Sequence, residues 1–393
     1  MPSLVLSRRL YMTDSLAPLA KPPFSSAVEA LEELMSHSGR AFLMGAGCSL
    51  CAGLPLTVSL TEEVLNNPSL KDLTKDILSV LTKQFEGSTS ATIEDYMSEL
   101  VDLLAIAERR KERCATCSTV NLGGKEYEVS DLQEALNQIK EAIAKSFETK
   151  KVNISTHWQF IKAVHRTLRT GKTGNAKPVN YLVLNYDTLI EDALALEKLP
   201  YADGFVGGVT GWWDETSFSL EGLAARVFKV HGSIDWCELN EETLPFRIRP
   251  SLTLPTGSKR RVLIWPAATK YRETQRDPYA QIAAKMRQEL RPSQTSEVIL
   301  TICGYRFGDS HINIELDRAL HESGEALTLL VFTEQNKPEG QLKEWLDNSK
   351  IRDQVRVHAK RGFSHGSTFA VSDEELPWWK FENLTRLLGG ERW

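Results

Sequence analysis

No apolar run in this 393-residue chain approaches the roughly 20 residues needed to cross a bilayer. The opening stretch, Met1 to Ser26, carries Arg8 and Arg9 but no apolar core long enough for a signal peptide, so a cytosolic location without membrane association is the default expectation. Cysteine is sparse, with six residues at 48, 51, 114, 117, 237 and 303, read as free thiols and not as a disulfide frame. Metal sites are not expected either. Cys48-x-x-Cys51 lies inside a glycine-rich turn where a metal would obstruct phosphate, and Cys114-x-x-Cys117 has no second pair or histidine at finger spacing. Basic charge is not in excess: the net charge of −5 argues against a nucleic-acid-coating surface, and no direct nucleic-acid binding is expected. Internal repeats and low-complexity tracts are absent as well.

What is present is an ordinary globular composition, 41% hydrophobic and 25% charged, long enough for one large domain or two smaller ones. Residues 1–24, with Pro18, Pro22 and Pro23, read as an irregular arm. Ser26-x-x-Glu29 and Ser59-x-x-Glu62 are capping-box patterns, each expected to open a helix. Residues 69–170 carry apolar positions at helical spacing (Ile93, Met97, Leu100 and Leu104; Leu136, Ile139, Ile143 and Phe147; Phe160, Ile161, Val164 and Leu168), with a loop or small hairpin between Arg113 and Val129. That block is expected to be a helical module inserted into an α/β domain formed by residues 25–68 and 171–393. In the second part, apolar runs at 181–184, 227–230, 262–265, 298–303, 327–333 and 355–358 alternate with helical stretches at 188–196, 279–290, 311–322 and 340–348. The alternation predicts a Rossmann-like, mostly parallel α/β sheet with helices on both faces. The Trp- and Leu-rich tail from Glu374 is expected to dock on the body or on a partner, and the pairs Trp212-Trp213 and Trp378-Trp379 to serve core or interface.

In a parallel α/β sheet, ligands bind at the carboxyl ends of the strands. Four apolar runs end in polar or glycine residues: Gly45-Ala46-Gly47-Cys48-Ser49, followed by Gly53 and Pro55; Asn185-Tyr186-Asp187; His231-Gly232-Ser233; and Gly304-Tyr305 through Asp309 and His311. All four should converge on one crevice. Small residues at 45–47 would let backbone amides approach a phosphate, whereas the missing Lys-Ser/Thr pair excludes an ATP-type P-loop. Asn185 can both donate and accept, which suits orienting a water or a ribose hydroxyl. Histidine is the side chain that ordinarily changes charge near neutrality, which suits His231 to proton transfer. Asn185 and Asp187 also suit capping the helix that follows, and that alternative stays open.

Taken together, these segments resemble the sirtuin family, and more closely its bacterial sirtuin-like NADase branch than its deacylases. The resemblance covers roughly residues 40–65 and 178–335 and leaves the helical module unmatched. It implies an NAD-binding loop at Gly45, Ala46, Gly47, Ser49, Gly53 and Pro55, and a nicotinamide-ribose segment at Asn185 and Asp187. It also implies a catalytic His231 and a late nucleotide-binding loop at Gly304, Tyr305, Asp309 and His311. Deacylating sirtuins follow the loop proline with Asp-Phe-Arg, where this chain has Leu56-Thr57-Val58, and carry a four-cysteine zinc ribbon where only Cys237 and Cys303 follow His231. The implied activity is therefore NAD+ glycohydrolysis without zinc, with NAD+ as substrate, in a bacterial anti-phage setting. Such activity needs gating, so a homo-oligomer or a HerA-type hexameric ATPase partner is expected. A deacylase or ADP-ribosyltransferase, and a non-catalytic NAD or ADP-ribose-binding assembly subunit, remain as alternative readings.

Overall fold

A computed structural model describes residues 15–87, 91–166, 177–239, 244–248, 252, 260–264, 277–292 and 296–393. Leu168 and Trp265, like Arg8 and Arg9, lie outside the described residues.

From the N-terminus the elements are α1 (Phe24–Met35), β1 (Arg40–Met44), α2 (Thr57–Leu65), α3 (Asp72–Gln84) and α4 (Ile93–Glu112). Next come the hairpin strands β2 (Val120–Leu122) and β3 (Lys125–Tyr127), then α5 (Val129–Glu148), α6 (Ser155–His165), β4 (Val179–Val183) and α7 (Leu189–Leu196). Five strands follow closely: β5 (Tyr201–Ala202), β6 (Phe205–Gly207), β7 (Gly211–Trp213), β8 (Ala225–Lys229) and β9 (Gly232–Leu239). The remainder is β10 (Phe246–Arg247), β11 (Arg260–Ile264), α8 (Tyr279–Glu289), β12 (Val298–Cys303), α9 (Ser310–Glu322) and β13 (Leu327–Thr333). The chain closes with α10 (Gln341–Asp347), β14 (Val355–Ala359), β15 (Gly362–His365), β16 (Thr368–Val371) and α11 (Phe381–Leu388).

Nine strands form the main sheet in the order β16-β15-β14-β13-β12-β1-β4-β8-β5. Pairing is parallel from β14 to β5, and at the other edge β14–β15 and β15–β16 pair antiparallel. The expected parallel α/β sheet is therefore what forms. Strand side chains alternate faces, and the two faces bury separate cores. Phe42 and Met44 join Tyr181 under α1, α6, α7 and α11, whereas Ala41 and Leu43 join Leu182 under α8, α9 and α10. Helix α6 belongs to the first of these cores, with the Phe160 ring 5.2 Å from Phe42. The C-terminal tail docks on the same face, burying Trp378, Leu384 and Leu387.

Helices α2 to α5 share a third core, which also takes in Tyr186, Leu189, Val262 and Ile264 from the sheet side. Among the described residues no single helix is long and apolar enough to cross a membrane.

Three expectations are corrected. Helix α1 opens at Phe24 with Pro23 at its cap, so Ser26 lies inside the helix. The chain is already coiled from Ala17 to Ala20 and from Lys21 (Phe24 N donates to Lys21 O at 3.0 Å), which starts the helix before Ser26 is reached. Likewise α2 opens at Thr57 directly after Pro55-Leu56, and Ser59 Oγ donates back to the Leu56 carbonyl instead of capping. The third correction concerns 262–264, which does not extend the parallel alternation. Strand β11 belongs to a five-stranded sheet, β11-β9-β10-β7-β6, whose pairings are all antiparallel.

Candidate active site

Strands β1, β4, β8 and β12 lie side by side and parallel, so their carboxyl ends open at one rim of the sheet. The turn after β1 is the hub. Gly47 N donates to Gly304 O at 3.0 Å, and Gly45 N donates to Cys303 O at 3.0 Å. A Cβ on Gly45 would sit 2.4 Å from Gly304 O, one on Gly47 2.8 Å from Gly304 Cα, and one on Gly304 2.5 Å from Cys48 N. These glycines thus let two strand-end loops pack backbone on backbone. Gly304 also takes a positive φ of 65°, a conformation glycine adopts without a Cβ penalty. Gly53 (φ 88°) turns the chain toward Pro55 and α2.

On the other side of the hub, Asn185 Nδ2 donates to Ser49 Oγ at 2.6 Å, and Ser49 Oγ donates to Asp187 Oδ2 at 2.6 Å. This relay fixes the Asn185 amide: one N–H of its nitrogen is committed to Ser49, and its oxygen Oδ1 is buried with no hydrogen-bond partner among the described residues. A buried acceptor that stays unpaired costs about 1–3 kcal/mol, so a donor brought to Oδ1 by a ligand would be favoured there. Asp187 also accepts from Leu189 N at 3.1 Å, so the capping alternative is realised for its Oδ1 alongside the contact with Ser49.

His231, nearly buried, places Nε2 2.9 Å from Asp309 Oδ2. A carboxylate only accepts, so Nε2 carries the proton and Nδ1 becomes the basic nitrogen of the ring. Asp309 Oδ1 caps α9, accepting from His311 N at 3.0 Å and Ile312 N at 3.3 Å. Tyr305 turns inward, its hydroxyl donating to Asn313 Oδ1 at 2.9 Å and bracing the Asp309 backbone. Ala46 lies in the short turn Ala46–Cys48 between the two packed glycines. The structure therefore brings Ser49, Asn185 and Asp187 together, pairs His231 with Asp309, and joins both groups through the contact between the 45–47 and 304 loops. Tyr305 and His311 enter as parts of the loop and of the first turn of α9.

The cysteines are quiet. None of the six, all among the described residues, forms a disulfide, and Cys48 lies under the hub with Sγ 3.4 Å from Cys303 Sγ. Burial, reinforced by Cys303, holds the Cys48 thiol well above its usual range, and burial pushes Cys51 up to about 12. Neither is a nucleophile at neutral pH.

Sequence reasoning gave no role to a second layer beneath the site. Lys229 is fully buried, donates to the Asp187 carbonyl, and places Nζ 3.7 Å from Glu191 Oε1. Burial pushes the Glu191 carboxyl up to about 8, against the pull of Lys229. His157, on α6, is buried close enough to Asp187 to feel its charge, yet burial dominates and lowers its imidazole to about 4. A lysine inside the apolar run Val227-Phe228-Lys229-Val230 was the one signal available for this layer.

Among curated proteins none matches. Solved structures with a similar chain path include a mutant Sir2 homologue bound to ADP-ribose (13% identity, TM-score 0.38, covering 92% of this chain and 94% of that one). A Sir2 homologue–NAD complex aligns at 12% identity and TM-score 0.36, over 80% of this chain and 85% of the other. Residues 179–353 match the family model of the SIR2-like domain, a stretch that holds Asn185, Asp187, His231, Gly304 and Asp309 but not the Gly45–Ser49 turn.

Proposed function

We propose that the chain hydrolyses the bond between nicotinamide and ribose in NAD+, releasing nicotinamide and ADP-ribose. The observation that carries this reading is the fixed Asn185 amide at the junction of the strand-end loops, its buried Oδ1 without a partner among the described residues. As the C–N bond breaks, positive charge builds on the ribose and the nicotinamide leaves as a neutral base. Water then adds at the ribose carbon and loses its proton. Asn185 Oδ1 accepts from that water or from a ribose hydroxyl. Nδ1 of His231 takes the proton, and Asp309 stabilises the imidazolium that results. Asp187 receives the carboxamide N–H₂ through lone pairs not used by Ser49 and Leu189, and the 45–49 turn holds the pyrophosphate.

NAD+ depletion in anti-phage defence, gated by self-assembly or by a HerA-type ATPase ring, is the setting we propose for this activity. The decisive test is NAD+ turnover by purified Asn185→Ala and His231→Ala variants whose melting matches the parent. Each should lose roughly 10²- to 10⁴-fold in kcat, the usual scale for removing a general base or its equivalent. Near-parental rates in both would remove this site assignment.

A further inference from the structure

We propose that Glu94, carried by the inserted helices, is a positioning residue for the reaction at Asn185 and Asp187 and acts through the Tyr186 hydroxyl. The proposal rests on the NAD+-cleavage reading of the site. Along the Asn185–Asp187 turn the side chains divide. Asn185 and Asp187 meet Ser49, whereas Tyr186 is buried in the core shared by α2 to α5. There its hydroxyl donates to Glu94 Oε1 at 2.8 Å, and its ring stands edge-on to Phe147, 6.5 Å between centroids.

Glu94 is itself held firmly. It sits in the first turn of α4, where a carboxylate is favoured by the helix dipole. That turn is closed by a Thr92–Asp95 capping box and tied to α2 through Ile93 N donating to Thr61 Oγ1 at 2.8 Å. Helix α2 is the one that leaves the Gly45–Pro55 segment. The Tyr186 backbone is clamped from a third side, its carbonyl accepting from Ile234 N at 3.0 Å and Ser233 Oγ at 3.2 Å, three and two residues beyond His231. Burial, with Glu94 next in effect, holds the Tyr186 phenol well above its usual range, so it remains a donor. The one residue between the two site side chains is thus pinned by a carboxylate from outside the sheet. A misplacement of about 1 Å at reacting groups can cost on the order of 100-fold in rate, so this pin bears on catalysis.

The test uses the full chain and its NAD+ turnover, with Tyr186→Phe, Glu94→Ala, Glu94→Gln and the double variant Tyr186→Phe/Glu94→Ala. Tyr186→Phe removes one hydroxyl and opens no cavity. It and Glu94→Ala should each lower kcat on the order of tenfold with KM changed less than about twofold. Glu94→Gln keeps an acceptor oxygen and should restore most of the rate. The double variant should be no slower than the slower single, because both remove one shared interaction. A parental kcat in folded Tyr186→Phe, a Glu94→Gln as slow as Glu94→Ala, or additive losses in the double variant would each overturn the proposal. A parent that cleaves no NAD+ would overturn the underlying reading and this proposal with it. Cleavage by the parent with unchanged variants would overturn the proposal alone.

Discussion

The chemistry available to Asn185 is set by Ser49. An amide free to rotate presents either end to a ligand, whereas one whose nitrogen is anchored by an N–H to a serine oxygen 2.6 Å away has its carbonyl turned to a fixed side. Ser49→Ala removes the acceptor for Asn185 and the donor to Asp187 in one step, leaving both partners buried without it. The expected result is a loss of kcat/KM on the order of tenfold for NAD+ and a stability loss of about 1–3 kcal/mol, read by steady-state kinetics and denaturant melts. Parental kinetics in this variant would show that the amide orientation is immaterial. Residues of this kind were legible in the sequence because each follows directly on an apolar run: Asn185 after Leu184, His231 after Val230, Gly304 after Cys303. Their partners were not. That Ser49 bridges Asn185 to Asp187, or that Asp309 faces His231, depends on loops brought together across 136 and 78 positions, which local pattern does not encode. Lys229 was hidden for the opposite reason, since inside an apolar run a lysine reads as an interruption until its carbonyl and carboxylate partners are seen.

At the scale of elements, the parallel strands announce themselves through continuous apolar runs. Val298–Cys303 and Leu327–Thr333 form over the residues expected, because a strand covered on both faces needs apolar side chains at every position. Strands of two or three residues, such as β5, β6, β7 and β10, carry too few side chains for any period to register, so the last three, members of the antiparallel sheet, went unread. The helix starts at Ser26 and Ser59 were misplaced because prolines upstream had already set the path of the chain. Glycines allow a sharper test of how the elements meet. Gly304→Ala must place a Cβ 2.5 Å from Cys48 N at a φ of 65°, so both loops have to shift. It should cost upwards of about 1–3 kcal/mol and weaken NAD+ binding. Gly308→Ala in the same loop meets nothing within 4 Å and should be close to neutral in both assays. Equal effects at the two positions would show that the packing of the 45–47 and 304 loops is not what the glycine at 304 serves.

Across the whole molecule three cores meet around the strand-end rim, and the charges buried there couple stability to pH. Glu191 lies under the site, nine-tenths buried, beside a fully buried Lys229. Its carboxyl is raised from 4.5 to about 8 by burial, so between those values the folded chain holds a proton that the unfolded chain has released. Stability from this group is therefore complete below about 4.5 and is lost as pH rises through about 8. The buried imidazoles His157 and His358, lowered to about 4 and about 3 by burial, act in the other direction. They stay neutral in the fold while the unfolded chain takes up protons below about 6.5, so they withdraw stability as the solution is acidified. The two effects bracket a stability maximum between them. Their separation is testable, because Glu191→Gln fixes one side chain in its neutral form and leaves both histidines untouched. Melting temperature should fall from pH 6 to pH 9 in the parent and fall distinctly less in Glu191→Gln, whereas from pH 6 to about 4.5 the variant should lose stability more steeply, because only the parent regains the Glu191 contribution there. Asp203 and Asp192, whose carboxyls burial also raises, remain in both chains, so what they contribute is common to parent and variant. An alkaline slope identical in parent and variant would mean that Glu191 is ionised throughout, and that Lys229 and Glu191 form a fully charged pair beneath the site.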